Sequence, residues 1–208
     1  MTSRCRSSRR WAAVALLLVT APLLQACAEA LIVGTIAAGV IVAADRRQIE
    51  VMFGDQRIES AAGGRVNEAL DGKGHVVVTS FNYTVLLTGE VPSAEAKAQA
   101  GKVVVGVPQV RAVVNELQIA GASSAASRSN DAYITSKVKS GFLGNGVFRP
   151  TDVKVVTEAG VVYLLGLVTR EEADAATNIT RGTGGVQKVV RVFEYVTLPA
   201  RKPIRTDE

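Results

Sequence analysis

The chain has 208 residues, of which 48% are hydrophobic and only 5% aromatic, with 24 Lys and Arg against 19 Asp and Glu. This length allows one or two small domains with real cores. Two cysteines exclude a disulfide-dense scaffold and a multi-cysteine zinc module, and the single histidine, His75, argues against a His-based triad or a multi-His metal site.

The positive charge is concentrated at the start of the chain. Four of the 24 basic residues lie before residue 27, whereas the first acidic residue is Glu29. Without residues 1–26, the 20 remaining basic residues nearly balance the 19 acidic ones. This balance gives no support to nucleic-acid binding, which requires a concentrated basic surface.

Residues 1–26 are predicted to be a secretory signal. A positively charged start, Arg4 to Arg10, is followed by an apolar stretch from Trp11 to Leu24 and by the small residue Ala26. The sequence Leu24-Gln25-Ala26-Cys27 resembles a bacterial lipoprotein box. The resemblance implies that Cys27 becomes the first residue and carries acyl chains, palmitate among them, which would anchor the protein permanently.

The residue after Cys27 is Ala28 rather than Asp. By resemblance to bacterial lipoproteins, this implies sorting to the periplasmic face of the outer membrane. Two alternatives remain open: a cleaved secretory signal with an incidental cysteine, and one long hydrophobic anchor over residues 11–44.

A second apolar run extends from Leu31 to Ala44. Its 14 residues fall short of the roughly 20 that a spanning helix needs. We expect it to lie against the membrane or pack on a domain, so residues 27–47 form a lipidated N-terminal segment.

Two copies of one pattern follow, with an offset of 76 residues between Asp55 and Asp131. Each aspartate opens a helical pattern, and two strand-like runs come next. In the first copy the runs are Val76–Ser80 and Val85–Gly89; in the second they are Val153–Thr157 and Val162–Gly166.

A second helix and a last strand close each copy. Ser93 is a predicted N-cap in the first copy, while Thr169 with Glu172 predicts a capping box in the second. The final strands are Val110–Asn115 and Val186–Arg191. Each unit therefore reads αββαβ, an α+β fold whose three-stranded mixed sheet is packed by two helices.

The predicted boundaries of the units follow from this pattern. The first unit covers residues 48–120 and the second covers residues 129–198. Residues 121–128 are rich in Gly, Ala and Ser, which predicts a flexible linker. Residues 199–208 are predicted to be a flexible tail.

The ordered set of motifs resembles the BON domain. The resemblance rests on the glycine that ends the second strand, on the Ala-rich helix after it, and on Val110 to Asn115. It is densest in three segments of the second unit: 131–140, 153–158 and 166–171. Two such units behind a lipoprotein box are similar to dual-BON outer-membrane lipoproteins, which implies two tandem BON domains.

The residues offer little for catalysis. His75 has no suggested nucleophile or orienting acid. Glu171, Glu172 and Asp174 are expected to form a solvated helix start. The glycine-rich segment 182–185 follows a helix, the reverse of a phosphate loop, so a helix-end turn is expected. We therefore expect no catalytic residue, cofactor or metal.

The first helix of the second unit presents a candidate lipid-binding surface. Ile134 and Val138 are expected to face the sheet. A rotation of about 100° per residue then places Tyr133, Lys137 and Ser140 on one flank of the helix, with Lys139 and Leu143 on its outer side. The loop after the helix is expected to add exposed apolar groups beside a cation. The candidate residues are Tyr133, Lys137, Lys139, Ser140, Leu143, Asn145, Val147, Phe148 and Arg149.

The family resemblance implies that this helix and loop contact anionic phospholipids, such as phosphatidylglycerol and cardiolipin, and that the protein supports outer-membrane integrity. An aromatic residue, cations and apolar tips suit an anionic lipid surface. The alternative is that Val147 and Phe148 fold back onto the core, which would leave the lysines as ordinary solvated charges. Two other functions stay open: an adaptor for an outer-membrane assembly protein, and a soluble osmotic-stress BON protein.

Overall fold

A computed structural model describes residues 46–197. The predicted signal at residues 1–26, the lipidation site Cys27, the apolar run 31–44 and the tail 199–208 lie outside the described residues and remain predictions. Within residues 46–197, no helix is long and apolar enough to cross a bilayer.

The first unit has the predicted αββαβ order. Antiparallel β1 and β2 form a hairpin, and β3 adds parallel to β2 after the crossover helix. A short extra strand, β4, also pairs parallel with β2. The elements are α1 (Ile49–Ala69), β1 (His75–Phe81), β2 (Thr84–Val91), α2 (Ala94–Val105), β3 (Ala112–Asn115) and β4 (Gln118–Ile119).

The second unit repeats this topology without the extra strand. Its sheet has the order β5-β6-β7, with an antiparallel hairpin and a parallel crossover pair. The elements are α3 (Ala125–Gly141), a 3₁₀ turn (Pro150–Asp152), β5 (Val153–Glu158), β6 (Val161–Val168), α4 (Arg170–Arg181) and β7 (Lys188–Tyr195). The predicted α+β class and strand order are confirmed.

The predicted flexible linker is partly wrong. The structure begins α3 at Ala125, inside the segment 121–128, because the side chain of Ser124 accepts a hydrogen bond from the Ser127 N–H and caps the helix. The backbone N–H of Ser123 is also held, at 3.0 Å, by the carboxylate of Glu90. Alanine is the strongest helix former, so the composition that suggested flexibility extends the helix instead.

Asp55 and Asp131 occupy equivalent places in the two units and hold the two hairpin turns. Both are buried inside their helices rather than at the helix starts. Asp55 accepts hydrogen bonds of 2.8 Å from the N–H groups of Asn82 and Tyr83, and both of those residues have positive φ angles. Asp131 does the same for residues 159 and 160 at 3.0 and 2.8 Å. The repeated aspartate therefore fixes each hairpin to its helix.

The two sheets pack face to face. Along β2, Val85 and Leu87 face the core beneath α1 and α2, whereas Leu86 between them faces the other unit. Along β6, Leu164 faces its own helices and Tyr163 faces the first unit. Helices cover the outer faces, so the described region has four layers in the order helices, sheet, sheet, helices.

Candidate functional site

The inner side of α3 fixes the direction of its outer side. Ile134, Val138 and Phe142 are fully buried against the second sheet. Tyr133 lies next to this apolar stripe but points outward, with 63% of its surface exposed. The predicted helical face is therefore present, and it carries an exposed aromatic side chain.

Lys137 lies one turn from Tyr133 on the same flank. Its Nζ is 4.6 Å from the centre of the Tyr133 ring, a cation–π geometry. The same ammonium group donates a hydrogen bond to the carbonyl of Gly184, in the turn after α4. This places a defined cation beside the aromatic ring. The turn itself, with Gly182 as the C-cap of α4, confirms the predicted helix end.

The outer side of α3 carries the remaining surface residues. Lys139 and Ser140 are exposed on the helix, and Leu143, in the turn directly after it, leaves 69% of its surface open although it is a large apolar residue. Together with Tyr133 and Lys137, they form what we call the α3 ridge. It combines two lysines with an aromatic and an aliphatic tip.

Asn145 shapes the loop after α3 from within. Its side-chain oxygen accepts hydrogen bonds from the N–H groups of Val147 and Phe148, at 2.8 and 2.9 Å. Its amide group donates to the carbonyls of Phe142 and Phe148. Because its polar atoms are used inside the loop, Asn145 supports the shape of the site rather than presenting a free donor.

The predicted exposure of Phe148 is wrong. Phe148 is 4% exposed, and its ring meets that of Phe142 edge to face, with centres 5.1 Å apart. Val147 is half-buried and packs against the same core. The Asn145 hydrogen bonds turn the loop inward at this point, so these two apolar residues stabilise the domain instead of protruding.

Arg149 stays half exposed at the end of the loop. Its guanidinium pairs with the carboxylate of Asp152 at 2.9 Å. Asp152 is fully buried and also pairs with Arg46, again at 2.9 Å. Arg149 is thus a cation fixed in place at the rim of the second unit.

Glu172 is not the solvated helix-start acid that the sequence suggested. It forms the predicted capping box with Thr169, but it is buried and accepts two hydrogen bonds from Arg46, at 2.6 and 2.8 Å. The hydrogen bond from Arg46 holds the pKa of Glu172 below its ordinary value. This interaction therefore adds stability above the ordinary pKa of the carboxyl, and that stability is lost as the pH falls through its lowered value.

Arg46 and Arg47 were not among the predicted functional residues. Arg46 contacts the second unit, and Arg47 pairs with Asp55 of the first unit at 2.7 Å and lies over the Phe81 ring at 4.0 Å. The signal that could have found them is the Asp45-Arg46-Arg47 sequence directly after the apolar run. Arginine forms strong bidentate hydrogen bonds with carboxylates, so two adjacent arginines directly before a domain are candidates for ion pairs with its acidic residues.

The helix layer of the first unit contains an open cleft of about 840 Å³ between α1 and α2. Its walls mix small apolar and charged side chains, and it lies on a different domain from the α3 ridge. His75 is half-buried at the start of β1. Across residues 46–197, no group of three or more His, Cys, Asp or Glu residues is arranged to hold a metal. The cleft is lined by Arg65, Glu68, Ala69, Ala98, Gln99, Lys102, Val103 and Gly106.

Comparisons with known proteins agree with this architecture. The BON domain family model matches residues 54–121 and residues 130–197. Outer membrane lipoprotein DolP of Haemophilus influenzae is 37% identical over 185 residues, covering 88% of this chain and 95% of the relative. The 21 kDa hemolysin of Actinobacillus pleuropneumoniae is 31% identical over 73% of this chain and 79% of its own length.

Osmotically-inducible protein Y of Escherichia coli is more distant. It is 30% identical over 63% of this chain and 69% of its own length. The matched domains and the coverage of the lipoprotein relative support an envelope location associated with the outer membrane. The chain belongs to the BON domain family, as a dual-BON envelope protein similar over most of its length to an outer membrane lipoprotein.

Proposed function

We propose that this protein is anchored at the periplasmic face of the outer membrane through lipidated Cys27, and that its second BON domain binds anionic phospholipids through the α3 ridge. Binding of this kind would support envelope integrity without a catalytic step. The observation that carries the proposal is Lys137 held 4.6 Å from the exposed Tyr133 ring.

The chemistry of the α3 ridge suits a lipid headgroup region. Each cation near an anionic membrane surface contributes about 1 kcal/mol of attraction, and an exposed aromatic or aliphatic tip enters the headgroup boundary. Tyr133 and Leu143 supply such tips, while Lys137 and Lys139 supply the charge. Arg149 extends the positive surface along the loop.

Flotation with vesicles tests the proposal on the mature chain carrying Cys27→Ser, so that binding does not depend on acyl chains. We expect flotation with phosphatidylglycerol or cardiolipin and little with phosphatidylcholine alone. The double variant Tyr133→Ala, Lys137→Glu should reduce binding by roughly tenfold, since it removes one tip and reverses one charge.

The matched control is Lys102→Glu, which makes the same charge change on an exposed lysine of the first BON domain. It should float as well as the parent chain. Unchanged flotation of the folded double variant would reject the α3 ridge as the lipid site. Mass spectrometry of the mature N-terminus tests the anchor separately: an unmodified start would favour a soluble osmotic-stress role.

A second candidate function is supported by the cleft in the first BON domain. Open apolar and charged walls between two helices suit a segment of a partner protein, such as one from an outer-membrane assembly complex. A photo-crosslinker placed at Gln99 in the cleft should then capture one defined envelope protein. The same group at Glu171 on the second domain should not.

A further inference from the structure

The start of α1 carries an exposed apolar pair that the proposed lipid site does not use. Ile49 and Phe53 are 52% and 65% exposed and lie one helical turn apart, on the same face of α1. Arg57, one turn further along this face, is also exposed. Exposed aromatic and aliphatic residues that lie together on one face are typical of an interaction surface.

A matching pair lies on the second BON domain. Tyr195 is 48% exposed at the end of β7, and the Arg170 guanidinium lies over its ring at 4.8 Å. Arg170 begins α4, two residues before Glu172. This aromatic–cation pair has the same character as Tyr133 with Lys137, but it belongs to another edge of the domain.

Both pairs flank the point where the described chain begins. Arg46 donates hydrogen bonds to the Leu167 carbonyl and to Glu172, and Leu167 is next to Val168, the register partner of Tyr195. Ile49 follows Arg46 by three residues. Arg46 thus lies one helical turn in sequence before the apolar pair of the first domain and contacts residues that are adjacent to the aromatic–cation pair of the second.

The short sequence distance between Arg46 and the proposed lipidation site indicates what this edge faces. Only 18 residues separate Arg46 from Cys27, and most of them belong to the apolar run 31–44. If Cys27 is lipidated, as the proposed function holds, the edge around Arg46 is the part of the folded region that the anchor keeps nearest to the membrane. The cations Arg57 and Arg170 complement anionic headgroups there.

We propose that Ile49, Phe53, Arg170 and Tyr195 form a second lipid-contacting surface, the tether edge, which both BON domains build around the exit of the anchor. This inference rests on the proposed anchoring of Cys27. It adds the first BON domain to the membrane contact.

Site-specific quenching tests the tether edge on the mature, lipid-anchored chain in vesicles of phosphatidylcholine and phosphatidylglycerol. Single cysteines replace Phe53, Leu143 or Val105, which are 65%, 69% and 67% exposed, and each carries the same fluorophore. Val105 is the matched control because it lies far from Phe53. Its neighbour Gly106 accepts a hydrogen bond from Arg65, which is about 18 Å along α1 from Phe53. Spin-labelled lipid is the quencher.

We expect roughly threefold stronger quenching at position 53 than at position 105. Equal quenching at the two positions would overturn the tether edge. A change in fluorescence at position 53 that occurs without lipid and grows with protein concentration would also overturn it, because such a change assigns the patch to a second copy of the chain. Position 143 reports the α3 ridge separately. Quenching at position 143 but not at position 53 rejects the tether edge and leaves the proposed function standing. Quenching at position 53 but not at position 143 rejects the α3 ridge alone.

Discussion

Arg46 binds Glu172 through two hydrogen bonds, of 2.6 and 2.8 Å, although the two residues are separated by 126 positions in the sequence. The contact ties the segment before the first BON domain to a helix of the second. Because Arg47 binds Asp55 of the first domain, these adjacent arginines connect both domains at one point.

Replacing Arg46 should weaken the whole described region. We expect Arg46→Ala to lower the free energy of unfolding by about 2 to 3 kcal/mol, since it leaves the buried carboxylate of Glu172 without a cation and leaves Asp152 paired with Arg149 alone. Arg46→Lys should recover only part of this loss, because an ammonium group cannot make the bidentate contact. Chemical denaturation measures the stability of both variants. An Arg46→Ala protein as stable as the parent would contradict the stabilising role of Arg46.

Phe148 and Leu143 should respond in opposite ways to truncation. Phe148→Ala removes a buried ring from the core of the second domain and should cost about 3 kcal/mol or more of stability. Leu143→Ala removes an exposed side chain and should change stability by less than about 0.5 kcal/mol. Thermal unfolding of the two variants separates core packing from surface function, and similar costs for both would be inconsistent with the buried loop.

Two glycines of the first domain should also differ. Gly89 has a φ of +108°, and a Cβ there would lie 2.0 Å from the carbonyl oxygen of His75. Gly89→Ala should therefore destabilise the β1–β2 hairpin by about 2 kcal/mol or more. Gly64 lies within α1 with open space around it, so Gly64→Ala should stabilise by about 0.5 to 1 kcal/mol. The denaturant midpoints of the two variants test this prediction. A Gly89→Ala protein more stable than Gly64→Ala would contradict it.

Glu158 should make stability depend on pH near neutrality. Burial raises the pKa of Glu158 to about 7, with Glu90 and Asp131 adding to the shift and Arg128 opposing it. The folded protein then holds a proton that the unfolded chain releases near 4.5, so stability falls as the pH rises from about 4.5 to about 7 and levels off above. The loss amounts to at most about 1.4 kcal/mol per unit of pKa difference.

Glu158→Gln should remove this slope, because the amide stays neutral throughout the pH range. Unfolding free energies measured between about pH 5 and about pH 8 should therefore diverge from those of the parent as the pH rises. Glu171→Gln, at an exposed position of α4, is the control and should follow the parent. Parallel curves for the parent and Glu158→Gln would show that this carboxyl does not titrate differently on folding.

The repeated pattern was sufficient to predict most of the fold. The spacing of apolar residues predicted the helices, and the side chains of Ser93 and Thr169 do cap α2 and α4 as expected. Local signals of this kind act over a few residues and can be read directly from the sequence. The helices α1 and α3 nevertheless begin six residues before Asp55 and Asp131, because those aspartates serve the hairpin turns rather than the helix starts.

The contacts between the domains were the part that local pattern did not predict. Val85–Val91 and Val161–Val168 lack the alternation of a half-exposed strand, a signal that both faces are buried, but nothing in the runs specifies the partner. The inward turn of Phe148 likewise depends on four hydrogen bonds of Asn145, a tertiary detail of one loop. The exposed positions of the α3 ridge followed from helical periodicity alone.

Leu86 and Tyr163 belong to a shared apolar layer that neither sheet can cover by itself. Cleavage of the chain after residue 120 would leave each half with an apolar sheet face exposed to water, and such faces promote aggregation. The two BON domains are therefore interdependent, because each covers the inner sheet face of the other. The pair, rather than the single domain, is the smallest unit expected to fold stably.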